Sequence, residues 1–271
     1  SASRDGRFLA VHAHETNTPD GEVWIVDVRR GGKSRAGIES AHFDFPVWSP
    51  DSTQIVVSSG RRGLFRATVG ARTAPESIYS AHLDGQPSDW SRDGEWVIFQ
   101  AVSRPNGDQD IWALPMKGPR EPQPLVRSQF DERDGVVSPD GRWLAFTSNE
   151  SGRREVYLQP FPGDGRKQAV SVEGGAGPRW DDKGRLYYWS AARQIVRVSL
   201  RSTAQSLELS EPEPIVPQLE MIDQNFVFES GSAPYVVLPN SEGFVRVNNT
   251  SDVDDPMHVV INWLSLITWR D

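Results

Sequence analysis

The sequence predicts an all-β fold, a six-bladed β-propeller of four-stranded antiparallel blades, on three observations. A degenerate unit built around a Ser-Pro-Asp-Gly turn recurs along the chain, short apolar runs flank each turn, and no stretch shows helical periodicity. The glycine-equivalent positions of the turns are 6, 52, 94, 141, 184 and 232, giving separations of 46, 42, 47, 43 and 48 residues. That spacing is close to the roughly 40–45 residues of a propeller blade and too long for a leucine-rich or ankyrin unit.

The units read Ser3-Arg4-Asp5-Gly6-Arg7-Phe8, Trp48-Ser49-Pro50-Asp51-Ser52-Thr53, Trp90-Ser91-Arg92-Asp93-Gly94-Glu95, Val137-Ser138-Pro139-Asp140-Gly141-Arg142 and Trp180-Asp181-Asp182-Lys183-Gly184-Arg185. A weaker sixth copy runs from Phe228 to Tyr235. Proline presets the first φ of the turn, aspartate bonds backbone amides two residues on, and glycine takes the left-handed position without a Cβ clash. After each turn comes a β-prone run, such as Ile55-Val56-Val57 or Trp143-Leu144-Ala145-Phe146. A polar turn and a second run follow: Val23–Val26, Leu64–Ala67, Asp110–Ala113, Glu155–Leu158, Gln194–Arg197 and Phe244–Val247. Within this frame the repeated Trp and Phe read as packing between blades, and the repeated Asp as turn caps. Ser52 in place of the turn glycine, and Asp181-Asp182-Lys183 in place of Ser-Pro-Asp, predict another turn type in those two hairpins. The first unit opens almost at its turn. Residues 1–271 therefore read as one propeller domain, a fragment of a longer protein. An upstream segment supplies its missing strand, or the Met257–Leu264 run folds back to close the ring.

Composition limits the partners. With 37% hydrophobic residues, ten Trp and eleven Phe, there is ample core material, and 24% charged residues mark a globular chain. A net charge of -8 and a pI near 5.2 argue against nucleic acid or an anionic membrane surface. The pairs Arg29-Arg30, Arg61-Arg62 and Arg153-Arg154 read as solvated turns. Cysteine is absent, which removes disulfides, thiolate metal sites and a Cys nucleophile. No run approaches the roughly 18 apolar residues of a membrane span, so no direct insertion is expected.

The stretch from Phe45 to Phe161 carries a resemblance. Pro46-Val47-Trp48-Ser49-Pro50-Asp51, Asp110-Ile111-Trp112 and Ser138-Pro139-Asp140-Gly141-Arg142-Trp143-Leu144-Ala145-Phe146 resemble the WD-like, TolB-type propellers. More narrowly, the chain resembles the propeller that follows the kinase domain and membrane span of many bacterial receptor-type serine/threonine kinases. Val156-Tyr157-Leu158-Gln159-Pro160-Phe161, Gly174–Trp180 and Val259–Trp263 extend the likeness over nearly the whole chain. It implies a six-bladed ring, an extracytoplasmic (periplasmic or cell-surface) location and a sensor role.

Catalytic motifs are missing from the sequence. There is no kinase glycine-rich loop, His-Arg-Asp or Asp-Phe-Gly, no Gly-x-Ser-x-Gly elbow and no His-Glu-x-x-His pair. Gly32-Lys33-Ser34 mimics the end of a P-loop, but Asp27 stands where its first glycine belongs. His12 and His14 share a strand face, with His42, His82 and His258 alone in other units; they read as a satisfied surface pair and not as a zinc site. Asp108, Asp110, Asp131, Asp134 and Asp252 to Asp255 lack the calcium-loop pattern and read as solvated loops and caps. The chain is thus expected to be non-catalytic and to need no cofactor or metal.

Loops entering the innermost strands form one mouth of a propeller channel, where ligands usually bind. Polar departures from the repeat nominate Asp44, Phe45, Asp89, Arg133, Asp134, Arg179, Gln224 and Asn225 as ligand-binding residues. The leading reading is a sensor binding a small ligand, peptide or protein at that mouth. The alternatives are a TolB-type interaction scaffold and a lyase or hydrolase using Asp, Arg and His at the mouth.

Overall fold

The computed structural model describes residues 1–13, 22–36, 43–60, 62–71, 73–80, 83–163, 165–202, 207–216, 235–239, 243–247 and 259–261. Among these residues there is no α-helix, and the strands form six antiparallel sheets, each from consecutive segments of chain. The first contains β1 (Phe8–Ala13), β2 (Glu22–Asp27) and β3 (Lys33–Arg35). The second runs β4 (Asp44–Trp48), β5 (Gln54–Ser58), β6 (Leu64–Thr68) and β7 (Glu76–Tyr79). The third runs β8 (Gly85–Trp90), β9 (Trp96–Val102), β10 (Gln109–Pro115) and β11 (Gln123–Val126), and the fourth β12 (Glu132–Val137), β13 (Trp143–Ser148), β14 (Glu155–Pro160) and β15 (Gln168–Ala169). In the fifth, β16 (Gly175–Trp180), β17 (Arg185–Ser190) and the long β18 (Ile195–Ser202) are edged by β19 (Leu207–Leu209) and β20 (Glu213–Val216), which pair with opposite ends of β18. The sixth contains β21 (Tyr235–Val237), β22 (Phe244–Val247) and β23 (Val259–Ile261).

Six apolar clusters lie between the sheets, one at each junction. The alternation of side chains along a strand explains them, because each central strand sends successive residues to opposite faces. In β5, Ile55 and Val57 enter the cluster with sheet one, while Val56 faces sheet three. In β13, Leu144 and Phe146 face sheet three and Ala145 faces sheet five. In β17, Leu186 and Tyr188 face sheet four, and Tyr187 and Trp189 meet Tyr235 and Phe244 of sheet six. The sixth cluster joins Leu238 and Val245 of the last sheet to Leu9 and Val11 of the first, so the array closes into a ring. Ile55, Phe99, Leu144 and Phe146 are fully buried, each worth about 1.5–3 kcal/mol of transfer free energy. The continuous apolar runs of the sequence are strands buried on both faces.

The turn grammar becomes a repeated hydrogen-bond unit. Ser49 Oγ donates to Asp51 Oδ1 at 2.6 Å and accepts the Gln54 amide at 2.9 Å, while Asp51 Oδ1 accepts the Thr53 amide. Ser3 with Asp5, Ser91 with Asp93 and Ser138 with Asp140 repeat it. Contrary to the expectation of another turn type, Ser52 keeps the same turn: it adopts φ 60° and donates its amide to the Ser49 carbonyl, as Gly94 does to Ser91. The fifth turn is one residue shorter, and Asp181 alone replaces both side chains by accepting the Lys183 and Arg185 amides at 2.9 Å. Ala2 bridges Leu9, so the first residues begin the inner strand of sheet one. Val259–Ile261 pairs with β22 at the outer edge of the last sheet instead of folding back on the first, because its partners are Val245 to Val247. Lys33 and Ser34 lie in an edge strand, which disposes of the P-loop likeness.

An inner-strand glycine marks a close approach to the next sheet. A Cβ on Gly135 would lie 2.9 Å from Ile111 Cγ2 and 3.1 Å from Ile98 Cγ2, both in the adjoining sheet. Gly135→Ala is therefore expected to destabilise the fold by about 1–3 kcal/mol through overpacking, measured as a lower urea midpoint with an unchanged m-value.

Candidate functional site: the central channel

The first strands of successive sheets pack on one another, β4 on β8, β8 on β12 and β12 on β16, and so line the axis of the ring. Each carries a β-bulge: register shifts fall between Asp44 and Val47, Pro87 and Asp89, Arg133 and Val136, and Ala176 and Arg179. The residue three before the end of the strand takes a positive φ in three of them, Phe45 at 52°, Asp134 at 59° and Gly177 at 61°. Glycine tolerates that conformation; a phenylalanine or aspartate there is strained, and bulges and strain of this kind concentrate at functional sites. Pro87 holds the corresponding place in β8, where its ring forbids positive φ.

Inside the ring is a cavity of about 420 Å³, and four of the nominated residues line it: Phe45, Asp89, Asp134 and Arg179. Asp89 Oδ1 accepts Arg4 Nη2 at 3.0 Å, and its Oδ2 accepts the Val137 amide at 2.9 Å. Burial raises its pKa above the ordinary carboxylate range against the opposing pull of Arg4. The Asp134 amide donates to Gln100 Oε1 at 2.7 Å and its Oδ2 accepts the Thr147 hydroxyl at 3.0 Å. Burial raises its pKa too, with the Arg179 charge the largest opposing influence. Arg179 donates to the Pro178 carbonyl at 2.7 Å and has no carboxylate within ion-pair range among the described residues. Tyr235 reaches in from the sixth sheet, its hydroxyl donating to the Gly177 carbonyl at 3.0 Å, and burial raises its pKa.

Two arginines brace the turn end of this channel. Arg4 crosses from the first turn to Asp89 and to the Trp90 carbonyl, and Arg92 of the third turn pairs with Asp182 of the fifth. Both stand where Pro50 and Pro139 stand in other turns, a departure from the repeat that was the available signal for them. Gln100, the polar break in the run Val97-Ile98-Phe99-Gln100-Ala101, was likewise visible; its amide donates to Gln86 Oε1 at 3.1 Å.

The remaining nominated residues fall elsewhere. Asp44 is outside the lining, and its Oδ1 lies 2.7 Å from Nε2 of His12, which does line the cavity; that histidine is thus half-buried and not a surface residue. His14, Gln224 and Asn225 lie outside the described residues. Arg133 is not among the residues that line the cavity; its Nε lies within 3.0 Å of both Asp131 oxygens, and it precedes the bulge that carries Asp134. Arg154, read as part of a solvated turn, pairs with Asp131 at 2.9 Å. Asp110, Asp131 and Asp134 are buried and not solvated, at 0%, 4% and 5% exposure. No group of three or more metal-ligating side chains occurs among the described residues, and no described helix is long and apolar enough to cross a membrane.

Beside this rim cluster, Glu132 is buried with one oxygen accepting Ser128 and the other unbonded. Burial and the nearby Asp110 charge push its pKa up to about 7. The folded state therefore binds this proton more tightly than the unfolded chain, and stability falls as pH rises from about 4.5 to about 7. Glu132→Gln is expected to flatten that decline, with little change in melting temperature at pH 4 and a higher one than the parent at pH 8.

No family model matches the chain. A stretch of 187 residues, 61% of the chain, is 29% identical to a protein of Aspergillus terreus named "Probable dipeptidyl-peptidase 5", and spans 24% of its length. Among solved structures, TolB of Acinetobacter baumannii superposes with a TM-score of 0.65 at 21% identity, over 89% of this chain and 58% of that one. The Myceliophteria thermophila Cps50 (Swd1) β-propeller domain gives 0.58 at 12% identity, over 93% and 79%. At these identities the likeness establishes the fold, a TolB-like and WD40-like β-propeller.

Proposed function

We propose that the chain is a non-catalytic binding propeller whose central channel admits ligand at the end opposite the arginine-braced turns. The observation that carries this reading is the cavity of about 420 Å³ in which Arg179 keeps most of its donors unmatched. That volume suits a small molecule or the end of a peptide. The channel acids are held by the frame, Asp89 by Arg4 and the Val137 amide and Asp134 by Thr147, which favours binding over acid-base chemistry. The kinase-propeller resemblance supports a role as the extracytoplasmic sensor of a bacterial serine/threonine kinase. Similarity to TolB over 89% of the chain favours a second reading, a scaffold that binds a peptide or protein.

A thermal-shift screen against divalent metals, sugars, peptides and cell-wall fragments tests the proposal. A ligand at 100 times its Kd adds about 2.7 kcal/mol to stability, so the melting temperature should rise by several degrees. Arg179→Ala should abolish the shift. If no small molecule acts and a protein partner does, the scaffold reading replaces the sensor.

A further inference from the structure

Arg179 and Asp134 project their unsatisfied groups into one cavity. Arg179 uses a single donor, on its neighbour's carbonyl. Asp134 Oδ2 is taken by Thr147, and its Oδ1 has no hydrogen-bond partner among the described residues. The other charged and amide groups of the lining each have a partner in the frame: Arg4 holds Asp89 and the Trp90 carbonyl, Asp89 also takes the Val137 amide, the Ser1 amino group donates to the Ala10 carbonyl, and Gln100 meets the Asp134 amide and Gln86. The cavity therefore offers one planar cationic fork and one carboxylate oxygen, bordered by the apolar walls of Val11, Val47, Val136 and Val237.

Resting on the channel-binding reading above, we infer that the ligand presents a carboxylate to Arg179 and an adjacent N–H donor to Asp134. This is the pattern of a peptide C-terminus or a free α-amino acid with an apolar side chain. A guanidinium matches the two oxygens of a carboxylate in a bidentate pair. A phosphate dianion fits less well, since its oxygens are chiefly acceptors and leave the open acceptor Asp134 Oδ1 without a donor. The nitrogen of an α-amino acid or of the last peptide bond lies beside its carboxylate, within reach of a carboxylate acceptor near the arginine. The valine walls accept the side chain.

Trp48 and Trp180 line the same cavity, so tryptophan fluorescence of the full 271-residue chain reports occupancy. The probes are N-acetylated alanyl-alanyl-leucine as the free acid, the same peptide as its C-terminal amide, free leucine and inorganic phosphate. The acid is expected to bind at least tenfold more tightly than the amide. Arg179→Gln should bring the acid down to the amide's level and leave the amide unchanged, with Arg179→Lys in between. Asp134→Asn should weaken free leucine more than the acetylated acid. Tight leucine with weak peptide identifies an amino-acid site, and the reverse a peptide-end site. Equal binding of acid and amide, acid binding indifferent to Arg179→Gln, or phosphate binding more tightly than the acid would each overturn the inference. Should Arg179→Gln fail to fold, the acid-to-amide ratio in Arg179→Lys decides. Equal binding that the cavity-filling Gln86→Trp still abolishes sinks the carboxylate assignment and leaves the channel-binding reading standing. No response to any probe overturns the inference, and the wider reading falls only if the thermal screen is blank as well.

Discussion

Every central strand of this protein is apolar on both faces, and that single property dictates the architecture. A sheet whose two faces both need cover must have two neighbours, and a row of such sheets always leaves its end members half exposed. Only a ring satisfies all of them. The closing contact is accordingly the same kind of contact as the others: Leu9 and Val11 of the first sheet meet Leu238 and Val245 of the last, as Leu144 and Phe146 meet Ile98 and Ile111.

Ring closure then shapes the axis. Sheets that fan outward crowd their first strands together, and crowding is relieved in two ways. A small residue stands where a Cβ would collide with the next sheet, as at Gly135 against Ile98 and Ile111. Bulges rotate the backbone so that residues such as Asp134 and Arg179 border a cavity instead of entering the interblade core. The channel is thus a consequence of the packing around it, and its polar character follows from the residues the bulges direct there.

How much of this was legible follows from the range of each interaction. The turns were readable because Ser, Asp and Gly act within five residues of one another, and a local hydrogen-bond unit leaves a local signature. The Asp181 turn differs as its sequence implies, one residue shorter with a single carboxylate doing the work of a serine and an aspartate, whereas the Ser52 turn was misjudged, because a serine there takes the left-handed conformation and keeps the common turn. Phe45, Asp89, Asp134 and Arg179 stood out because they break the repeat on inner strands, and they line the cavity. Arg133 stays outside the cavity lining because a bulge shifts the alternation of side chains by one, and no sequence pattern shows where the slip occurs. Arg4 and Arg92 act across the ring, at sequence separations of 85 and 90 residues, beyond any local reading. Their replacement of the turn proline was the only trace.

The distribution of unfavourable features separates frame from site. In the described turns the repeated serines and aspartates are matched: Ser to Asp, Asp to amides, and the left-handed position is glycine in most units. In the channel, Asp89 and Asp134 are buried with raised pKa values, Phe45 and Asp134 occupy a conformation suited to glycine, and Arg179 faces the cavity without a carboxylate partner. Buried charge is weak evidence of stabilisation, since well-packed apolar residues of similar size are often as stable or more so. Gly177, at the place equivalent to Asp134, shows that the fold accepts the unstrained residue there. A frame selected for stability alone would have glycine at Phe45 and Asp134 as well. On the binding reading proposed above, the strain and the unmatched charge belong to what the channel would hold and not to what holds the channel together.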